Sequence, residues 1–345
     1  MNLRTVDQID SGINVVLRLD TDLPIEEGQI LDNSRLKKSL VTIRLLLDRN
    51  CKIIIIGHRG RPKGIEPSLS LKPVYAELMS LLRNGNEDFD VSSVFVEDVK
   101  NGERIKETLA NNQIVFCENL RFWPEEKDNN PDFLSTLTFV CQAFINDSTA
   151  TAHRRQASTM LYQKMDTYYG LDFVAEMAQM DKLKHRSASP RLLILGGAKK
   201  DKLSRLYELS QWADKILIAG KLPMFMKNSD LNLFDKVTVA ELRPDGLDIS
   251  QASIDLFKSE IEKAGTIVWA GAMGKFEDES SRYGSQTIGE SIIASPAYKV
   301  VGGGDTQACL KMLGLLDQID FVCAGGGVLL EWLANYHLPT IAISN

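Results

Sequence analysis

The stretch that decides the fold is KIIIIGHRGRPKG, residues 52–64. Its four consecutive isoleucines form a short apolar run, which predicts a strand buried on both faces of a parallel sheet. The run leads into His58 and Arg61, so cations gather at the carboxyl end of the strand, where ligands of open α/β sheets bind. Gly60 permits a tight turn and Pro62 removes a backbone donor. These features favour a shaped anion site over the alternative, a basic surface loop.

The length and composition of the 345-residue chain limit the kinds of ligand that such a site could bind. The length suits two domains of about 150 to 200 residues each. Hydrophobic residues make up 44% of the chain, which is enough for ordinary globular cores. The net charge of -6 argues against nucleic acid as the main partner, because binding to a phosphate backbone calls for a basic face. We therefore expect the local cations to bind a small anion.

The placement of the cysteines and the lengths of the apolar runs indicate the cellular compartment of the protein. The five cysteines are widely spaced and lie mostly in apolar runs, which is typical of reduced core thiols and not of a disulfide framework or a metal site. No apolar run approaches membrane-spanning length, and the N-terminus lacks the apolar segment of a signal peptide. We expect a cytoplasmic protein without a membrane partner.

Three other apolar strands in the first half, beginning near residues 14, 114 and 144, also end in polar residues. The side chains that follow the four strands are Arg18, Asp20 and Asp22; His58 and Arg61; Glu118, Asn119 and Arg121; and Asn146, Asp147, His153, Arg154 and Arg155. Because the carboxyl ends of parallel strands meet at one edge of a sheet, we expect these side chains to converge.

Helical patterns lie between the strands. Apolar residues recur on one face from Ser34 to Arg49, and a second helix is predicted from Lys72 to Arg83. This alternation predicts an α/β fold with a doubly wound parallel sheet. Arg35 lies in the first turn of its helix, where the helix dipole disfavours a cation, and this indicates a functional role.

A second α/β half follows a predicted helix at residues 172–184, which we expect to join two domains. A predicted strand from Arg191 to Leu195 opens into a loop with two glycines and three lysines, and a helix is predicted from about Leu203. Two further glycine clusters follow strands, at residues 302–304 and 325–327. Glycine-rich turns between strand and helix expose backbone N–H groups to phosphate, so three of them predict a phosphate-binding face.

The chain resembles the phosphoglycerate kinase family from about residue 14 to residue 344. The matching segments are RLDTDLP (18–24), NSRLKKS (33–39), GHRGRPKG (57–64), ENLRFWPEE (118–126), INDSTATAHR (145–154), LGGAK (195–199), GAMGKFE (271–277), GGGDT (302–306) and AGGGVLLE (324–331). The resemblance implies two Rossmann-like domains separated by a hinged cleft. Residues 1–170 would bind phosphoglycerate and residues 171–337 would bind nucleotide, with residues 338–345 returning to the first domain.

The resemblance also implies roles for individual residues. The substrate site would comprise Arg18, Asp20, Asp22, Arg35, His58, Arg61, Arg121, His153 and Arg154. The nucleotide site would comprise Gly196, Gly197, Lys199, Lys202, Glu277, Gly302, Gly303, Gly304, Asp305 and Thr306. The catalytic set would be Arg35, Lys199, Lys202, Gly303 and Gly304. ATP or ADP is the implied second substrate, Mg²⁺ held by Asp305 is the implied cofactor, and we expect a monomer.

The implied reaction is phosphoryl transfer from 1,3-bisphosphoglycerate to ADP, a step of glycolysis. The residues agree with it, because 3-phosphoglycerate carries a phosphate and a carboxylate that call for converging cations. The reaction needs in-line positioning and dispersal of charge, not a general base. We predict that Arg35 reaches the transferring phosphoryl group.

In the substrate half, the chain departs from the family pattern at three places. The asparagine of the first motif is Asp22, which adds repulsion towards an anionic ligand and raises the question of a different substrate. A Phe-Gly pair is replaced by residues 149–150, and the second histidine of an HRxH pattern is Gln156.

The nucleotide half departs further. The two lysines of the family's glycine loop stand four apart, whereas Lys199 and Lys202 stand three apart. On an α-helix this rotates the second lysine by about 100°, so Lys200, Lys202 or neither takes its role. The family's triple glycine is replaced by Ala219-Gly220-Lys221, and its asparagine before a GPxG motif is replaced by Ala270. The stretch between Gly220 and Asp248 is short, and in the family this stretch helps to form the wall of the adenine pocket.

These departures leave three interpretations. The chain is a working, trimmed phosphoglycerate kinase, a kinase for another acyl phosphate or nucleotide, or a non-catalytic relative that binds a phosphorylated acid in a regulatory or scaffolding role. A dinucleotide-dependent enzyme is disfavoured, because no glycine turn is a GxGxxG with an acidic residue on the next strand.

Overall fold

The computed structural model describes residues 3–83, 91–226 and 235–341. The chain divides into two compact units, Met1–Met177 with Pro339–Asn345 and Ala178–Leu338. We call them the first and second unit. No helix within the described ranges is both long enough and apolar enough to cross a bilayer.

The first unit is built on a six-stranded parallel sheet. Its strands, with a short hairpin of β2 and β3, are β1 (Asn14–Leu19), β2 (Ile25–Glu26), β3 (Gln29–Ile30), β4 (Lys52–Ile56), β5 (Ser93–Val96), β6 (Ile114–Cys117), β7 (Ala143–Asp147) and β8 (Asp166–Tyr169). The order in the sheet is β5-β6-β4-β1-β7-β8. Arg18 pairs with Ile56 on one side and Asn146 on the other, so the carboxyl ends of these strands are level. The four predicted strands are confirmed.

Helices cover both faces of this sheet. They are α1 (Ser34–Asp48), α2 (Lys72–Arg83), α3 (Gly102–Asn111), α4 (Pro124–Lys127) and α5 (Ser135–Val140). Ile53 and Ile55 of β4 lie in the core shared with α1 and α2, whereas Ile54 and Ile56 lie in the opposite core with α3 and α5. All four are fully buried, and complete burial stabilises by about 1.5–3 kcal/mol per isoleucine. The isoleucine run therefore forms a strand because it serves two cores.

The second unit repeats the plan. Its strands are β9 (Arg191–Leu195), β10 (Lys215–Ile218), β11 (Val237–Val239), β12 (Thr266–Ala270), β13 (Tyr298–Gly302) and β14 (Phe321–Cys323), in the order β11-β10-β9-β12-β13-β14 and all parallel. Its helices are α7 (Leu206–Trp212), α8 (Gln251–Ile261), α9 (Tyr283–Ala294), α10 (Gly304–Met312) and α11 (Gly326–Asn335). The predicted α/β class with two doubly wound sheets is confirmed.

Two chain segments connect the units. Helix α6 (Leu171–Arg186) runs from the first unit into the second, and its Phe173, Met177 and Met180 are buried as their spacing predicts. Near the C-terminus the chain contacts the first unit again: the hydroxyl of Thr340 donates to the carbonyl of Ala152 at 3.1 Å. Residues 342–345, which complete the predicted tail, lie outside the described ranges.

The segment after β9 differs from its prediction. Lys200–Arg205 form a 3₁₀-helix, and the α-helix begins only at Leu206. Lys199 is the N-cap of this helix and has an extended backbone, with φ -91° and ψ 104°, so only Lys200 and Lys202 of the three lysines lie within the helix. The rotation by about 100° assumed α-helical geometry and does not apply to this segment.

Candidate functional site

Buried cations gather at the carboxyl edge of the first sheet. We call Arg18, Arg35, His58 and Arg121 the basic site. The exposed fractions of Arg18, His58 and Arg121 are 0%, 2% and 4%. Each of these three has a buried nitrogen that makes no hydrogen bond to the described residues: Nη2, Nδ1 and Nε, respectively. Buried polar groups are seldom left unpaired, so these nitrogens indicate a place for a ligand.

The charge of the basic site is carried by arginine and not by histidine. Burial, followed by the nearby charge of Arg121 and Arg18, lowers the pKa of His58 well below its ordinary value. Burial also lowers the pKa of Arg121, to about 10, which leaves the guanidinium charged at neutral pH. His58 therefore acts as a neutral hydrogen-bonding group between cations.

A buried carboxylate holds Arg18 in place through a serine. Nε of Arg18 donates to Oγ of Ser158 at 2.9 Å, and Nη1 donates to Oγ1 of Thr151 at 2.6 Å. The Ser158 hydroxyl in turn donates to Oε1 of Glu126 at 2.6 Å, and its backbone N–H donates to Oε2 at 2.9 Å. We call this chain of contacts the Glu126 relay. It ties the start of α4 to the segment that carries His153 and Arg154.

Two carboxylates lie at the mouth of the basic site. Oδ2 of Asp20 accepts from Nη1 of Arg35 at 3.0 Å. The same nitrogen contacts the backbone carbonyl of Asp22 at 3.3 Å. The Asp20 carboxylate raises the pKa of Arg35 against the opposing effect of burial. Arg35, placed by the first turn of α1, is thus held at the sheet edge by the loop after β1.

The other predicted substrate residues lie on the same loops. Arg61 is exposed, five residues beyond the end of β4. His153 and Arg154 are half-buried, and Nε of Arg154 donates to Nε2 of His153 at 3.3 Å. Nη1 of Arg121 donates to the carbonyl of Gly60 at 2.7 Å, which joins the loops after β6 and β4. The structure therefore brings the predicted cations to one edge of one sheet.

Glycines in the second unit let three loops touch. Gly196 and Gly271 follow β9 and β12, and a Cβ on either would lie 2.2 to 2.4 Å from a backbone oxygen of the other loop. Gly220, after β10, has φ +60° and sits against Gly197 in the same way. Only glycine fits these close approaches.

The glycine loops do not present their N–H groups as the sequence predicts. The N–H groups of Gly196 and Gly197 donate to the carbonyls of Ala270 and Ala272, at 3.0 and 2.8 Å. The prediction that these two amides face phosphate is wrong, because both donate to carbonyls at the end of β12 and in the loop that follows it. The start of α10 at Gly304 differs, since the first N–H groups of a helix have no partner within it.

The lysines and Asp305 lie around these loops. Nζ of Lys202 donates to the carbonyls of Gly196 and Ala270 at 2.8 and 2.9 Å. Burial, with the charge of Lys199, lowers the pKa of Lys202 to about 8. Lys199 forms an ion pair with Asp305 at 3.6 Å, and their side chains are 57% and 74% exposed. We call Lys199, Lys202 and Asp305 the lysine cluster.

Two residues predicted to bind the nucleotide, Thr306 and Glu277, make contacts with other parts of the second unit. The hydroxyl of Thr306 accepts from the N–H of Gly271 at 2.7 Å and donates to the carbonyl of Gly302 at 3.1 Å. It therefore joins the ends of β12 and β13. Glu277 is exposed in the loop after β12, where its carbonyl accepts from Nη2 of Arg282 at 3.2 Å.

Comparison with known proteins agrees with this arrangement. The family model described as "Phosphoglycerate kinase" matches residues 6–242 and 227–335. The chain belongs to the phosphoglycerate kinase family. The two matched segments overlap at residues 227–242, within the stretch from Gly220 to Asp248 where the sequence predicts lost material. Residues 227–234 of that stretch lie outside the described ranges.

Individual phosphoglycerate kinases align over almost the full length. The chain is 32% identical to that of Dictyoglomus turgidum over 387 aligned positions, covering 98% of this chain and 96% of the relative. It is 31% identical to that of Nitratiruptor sp. over 396 positions, covering 99% and 98%. Both alignments are longer than this chain, so the relatives carry segments that it lacks. The crystal structure of phosphoglycerate kinase from Pyrococcus horikoshii has the same fold, with a TM-score of 0.80 at 23% identity over 98% of this chain and 97% of that one.

One carboxylate of this phosphoglycerate kinase family member could contact a nucleotide-bound metal. The described residues contain no group of three or more His, Cys, Asp or Glu side chains that could hold a metal ion. Mg²⁺ in nucleotide sites needs no such group, since one or two carboxylates with phosphate and water oxygens suffice. The exposed carboxylate of Asp305 fits that requirement.

Several residues shape the basic site although the sequence analysis gave them no role in it, Asn119 being expected only to lie at the sheet edge. Nδ2 of Asn119 donates to the carbonyls of Arg59 and Leu69, and its Oδ1 accepts the N–H groups of Arg59 and Arg121. Glu126 and Ser158 received no role either. The available signal was that Glu126 closes the ENLRFWPEE segment, but the distance in sequence to Ser158 concealed the contact.

Proposed function

We propose that this protein transfers a phosphoryl group between 1,3-bisphosphoglycerate and ADP, giving 3-phosphoglycerate and ATP. The observation that carries the proposal is the basic site, in a chain that matches the phosphoglycerate kinase family over nearly its whole length. A phosphorylated acid has two anionic groups, and the unpaired nitrogens of Arg18, His58 and Arg121 supply donors for them. Arg61 and Arg154, on the same loops, complete the proposed substrate site.

The second unit would bind the nucleotide through its phosphates. Lys199 and Lys202 supply positive charge, and the N–H groups at the start of α10 supply donors. Gly303, with φ +103°, turns the chain so that this helix can begin. Asp305 would contact Mg²⁺ carried by the nucleotide, and the ion would neutralise phosphate charge when bound.

The proposed reaction needs no general base, because in the direction of ATP consumption the nucleophile is already a carboxylate. Catalysis then consists of in-line positioning and dispersal of charge. Arg35 is the cation best suited to the transferring group, since Asp20 holds it at the mouth of the basic site. Lys199 would approach the same group from the nucleotide side. Transfer requires both ligands, so we propose that turnover depends on binding of the acid and the nucleotide at the same time.

A coupled assay with 3-phosphoglycerate and Mg-ATP tests this function, and the assay is repeated with Mg-GTP. We expect turnover that requires 3-phosphoglycerate, with no nucleotide hydrolysis when the acid is omitted. Calorimetry on the same preparation measures binding of 3-phosphoglycerate. Binding without turnover on either nucleotide would contradict the kinase and support a binding protein.

A further inference from the structure

Asp22 places a carboxylate among the cations of the basic site. Its Oδ1 accepts the backbone N–H of Gly60 at 2.9 Å, and its backbone carbonyl contacts Arg35. These contacts fix Asp22 between the loop after β4 and the start of α1. The carboxylate therefore belongs to the site and cannot swing into solvent without losing the bond to Gly60.

The second oxygen of Asp22 is accessible to a ligand. Oδ2 lies 3.9 Å from Nε2 of His58, which is beyond hydrogen-bonding distance, and the side chain is 45% exposed. His58 carries no compensating charge, because burial and the surrounding arginines lower its pKa well below the ordinary value. Asp22 thus offers a ligand a negative charge and an acceptor oxygen.

The charged groups that face Asp22 come from three elements. Arg35 lies on α1, Arg59 follows β4 and Arg121 follows β6, and each is attracted to this carboxylate. An anionic ligand group beside Asp22 would compete with it for these arginines and be repelled by it. A hydroxyl or an ammonium group would instead donate to Oδ2, and an ammonium would form an ion pair.

Resting on the proposed function, we propose that Asp22 sets the substrate class of this site. It selects phosphorylated acids that carry a hydrogen-bond donor, a hydroxyl or a protonated amine, within reach of Oδ2. It disfavours acids without such a donor. The chain thereby accepts amino-acid phosphates as well as hydroxy-acid phosphates.

Calorimetry with three ligands of one skeleton tests this selectivity. 3-Phosphoglycerate, O-phosphoserine and 3-phosphonooxypropanoate carry a hydroxyl, an ammonium group and a hydrogen on the same carbon. For the parent we expect both donor ligands to bind about tenfold more tightly than the third. In Asp22→Asn, which keeps an oxygen for Gly60, we expect the advantage of O-phosphoserine to fall about tenfold, the loss expected for a charge-assisted bond.

Asp10→Asn is the matched control, because it removes the same charge at an exposed position before β1, near the opposite edge of the sheet. It should leave all three affinities as in the parent. Equal ligand ratios in the parent and in Asp22→Asn would overturn the selectivity while leaving the proposed function intact. If none of the three ligands binds the parent, both proposals are overturned.

Discussion

The basic site and the lysine cluster differ in how far their charged groups are exposed to solvent. In the first unit Arg18 is buried and Arg35 is half-buried, and acceptors on Ser158, Thr151 and Asp20 fix them before any ligand arrives. In the second unit Lys199 and Asp305 are exposed and contact mainly each other. The arginines of the basic site are already largely removed from water before a ligand binds, so they are preorganised for one anion. Lys199 and Asp305 are screened by water and salt, so the attraction of Lys199 for phosphate depends on ionic strength.

Substitution of Arg35 should separate turnover from binding most sharply. If Arg35 contacts the phosphoryl group chiefly during transfer, Arg35→Ala reduces kcat by about 10³-fold or more and changes the affinity for 3-phosphoglycerate much less. Steady-state kinetics and calorimetry measure the two effects. Arg44→Ala, an exposed arginine on the same helix, is the control. A loss of turnover within about tenfold would contradict the proposed mechanism.

Removal of Glu126 tests how far the basic site depends on its buried partners. Glu126→Ala leaves Arg18 buried without its counter-charge, so we expect the free energy of unfolding to fall by about 3 kcal/mol. Denaturant unfolding measures this change. Glu125→Ala, which breaks an ion pair with the half-exposed Lys100, should have a much smaller effect, because solvent screens that pair. Equal effects would show that the relay carries no buried charge.

Arg121 and Arg61 compare a buried with an exposed cation on one ligand. Alanine at either position should weaken binding of 3-phosphoglycerate by about 1.5–3 kcal/mol, the range for charge-assisted hydrogen bonds. Only Arg121→Ala should also lower stability, because it leaves the carbonyl of Gly60 without its donor. Calorimetry combined with thermal unfolding distinguishes the two. A stability loss in Arg61→Ala would contradict its assignment to ligand binding alone.

Raising the pH should affect the lysine cluster and spare the basic site. With a pKa of about 8, Lys202 loses its charge between pH 7 and 9, so we expect Mg-ADP affinity to fall up to about tenfold while 3-phosphoglycerate affinity holds. The unfolded chain, with an ordinary lysine pKa of 10.5, binds that proton more tightly. The contribution of Lys202 to stability therefore rises from pH 8 towards 10.5. Lys202→Met should remove both pH effects, and their persistence in this variant would refute the assignment.

The smallest expected effect concerns the nucleotide base. The stretch from Gly220 to Asp248 is short, and the nucleotide contacts proposed for the lysine cluster are to phosphate and not to the base. We therefore expect Mg-ADP and Mg-GDP to differ by less than about threefold in affinity (on the order of 0.6 kcal/mol). Omission of Mg²⁺ should weaken both equally. Tight, adenine-selective binding would show that the second unit contains a base pocket.

The sequence alone determined the architecture, because periodicity and strand-end residues depend only on local order. Four isoleucines predict a strand buried on both faces, and cations after four such strands must converge at one edge. The family motifs supplied the remaining assignments. Strand positions and the buried face of α6 could therefore be predicted from the sequence.

The tertiary structure alone decided how each site residue is used. Glu126 and Ser158 are far apart in sequence, so only folding shows that they hold Arg18. The amides of Gly196 and Gly197 donate to carbonyls at the end of β12 and in the loop that follows it. The local sequence could not reveal these hydrogen bonds. The 3₁₀-helix after β9 replaces the α-helix that the sequence predicts from about Leu203, so the position of Lys202 follows from the fold and not from α-helical spacing. Such contacts depend on which loops meet at a sheet edge, and that is fixed by the packing of the whole unit.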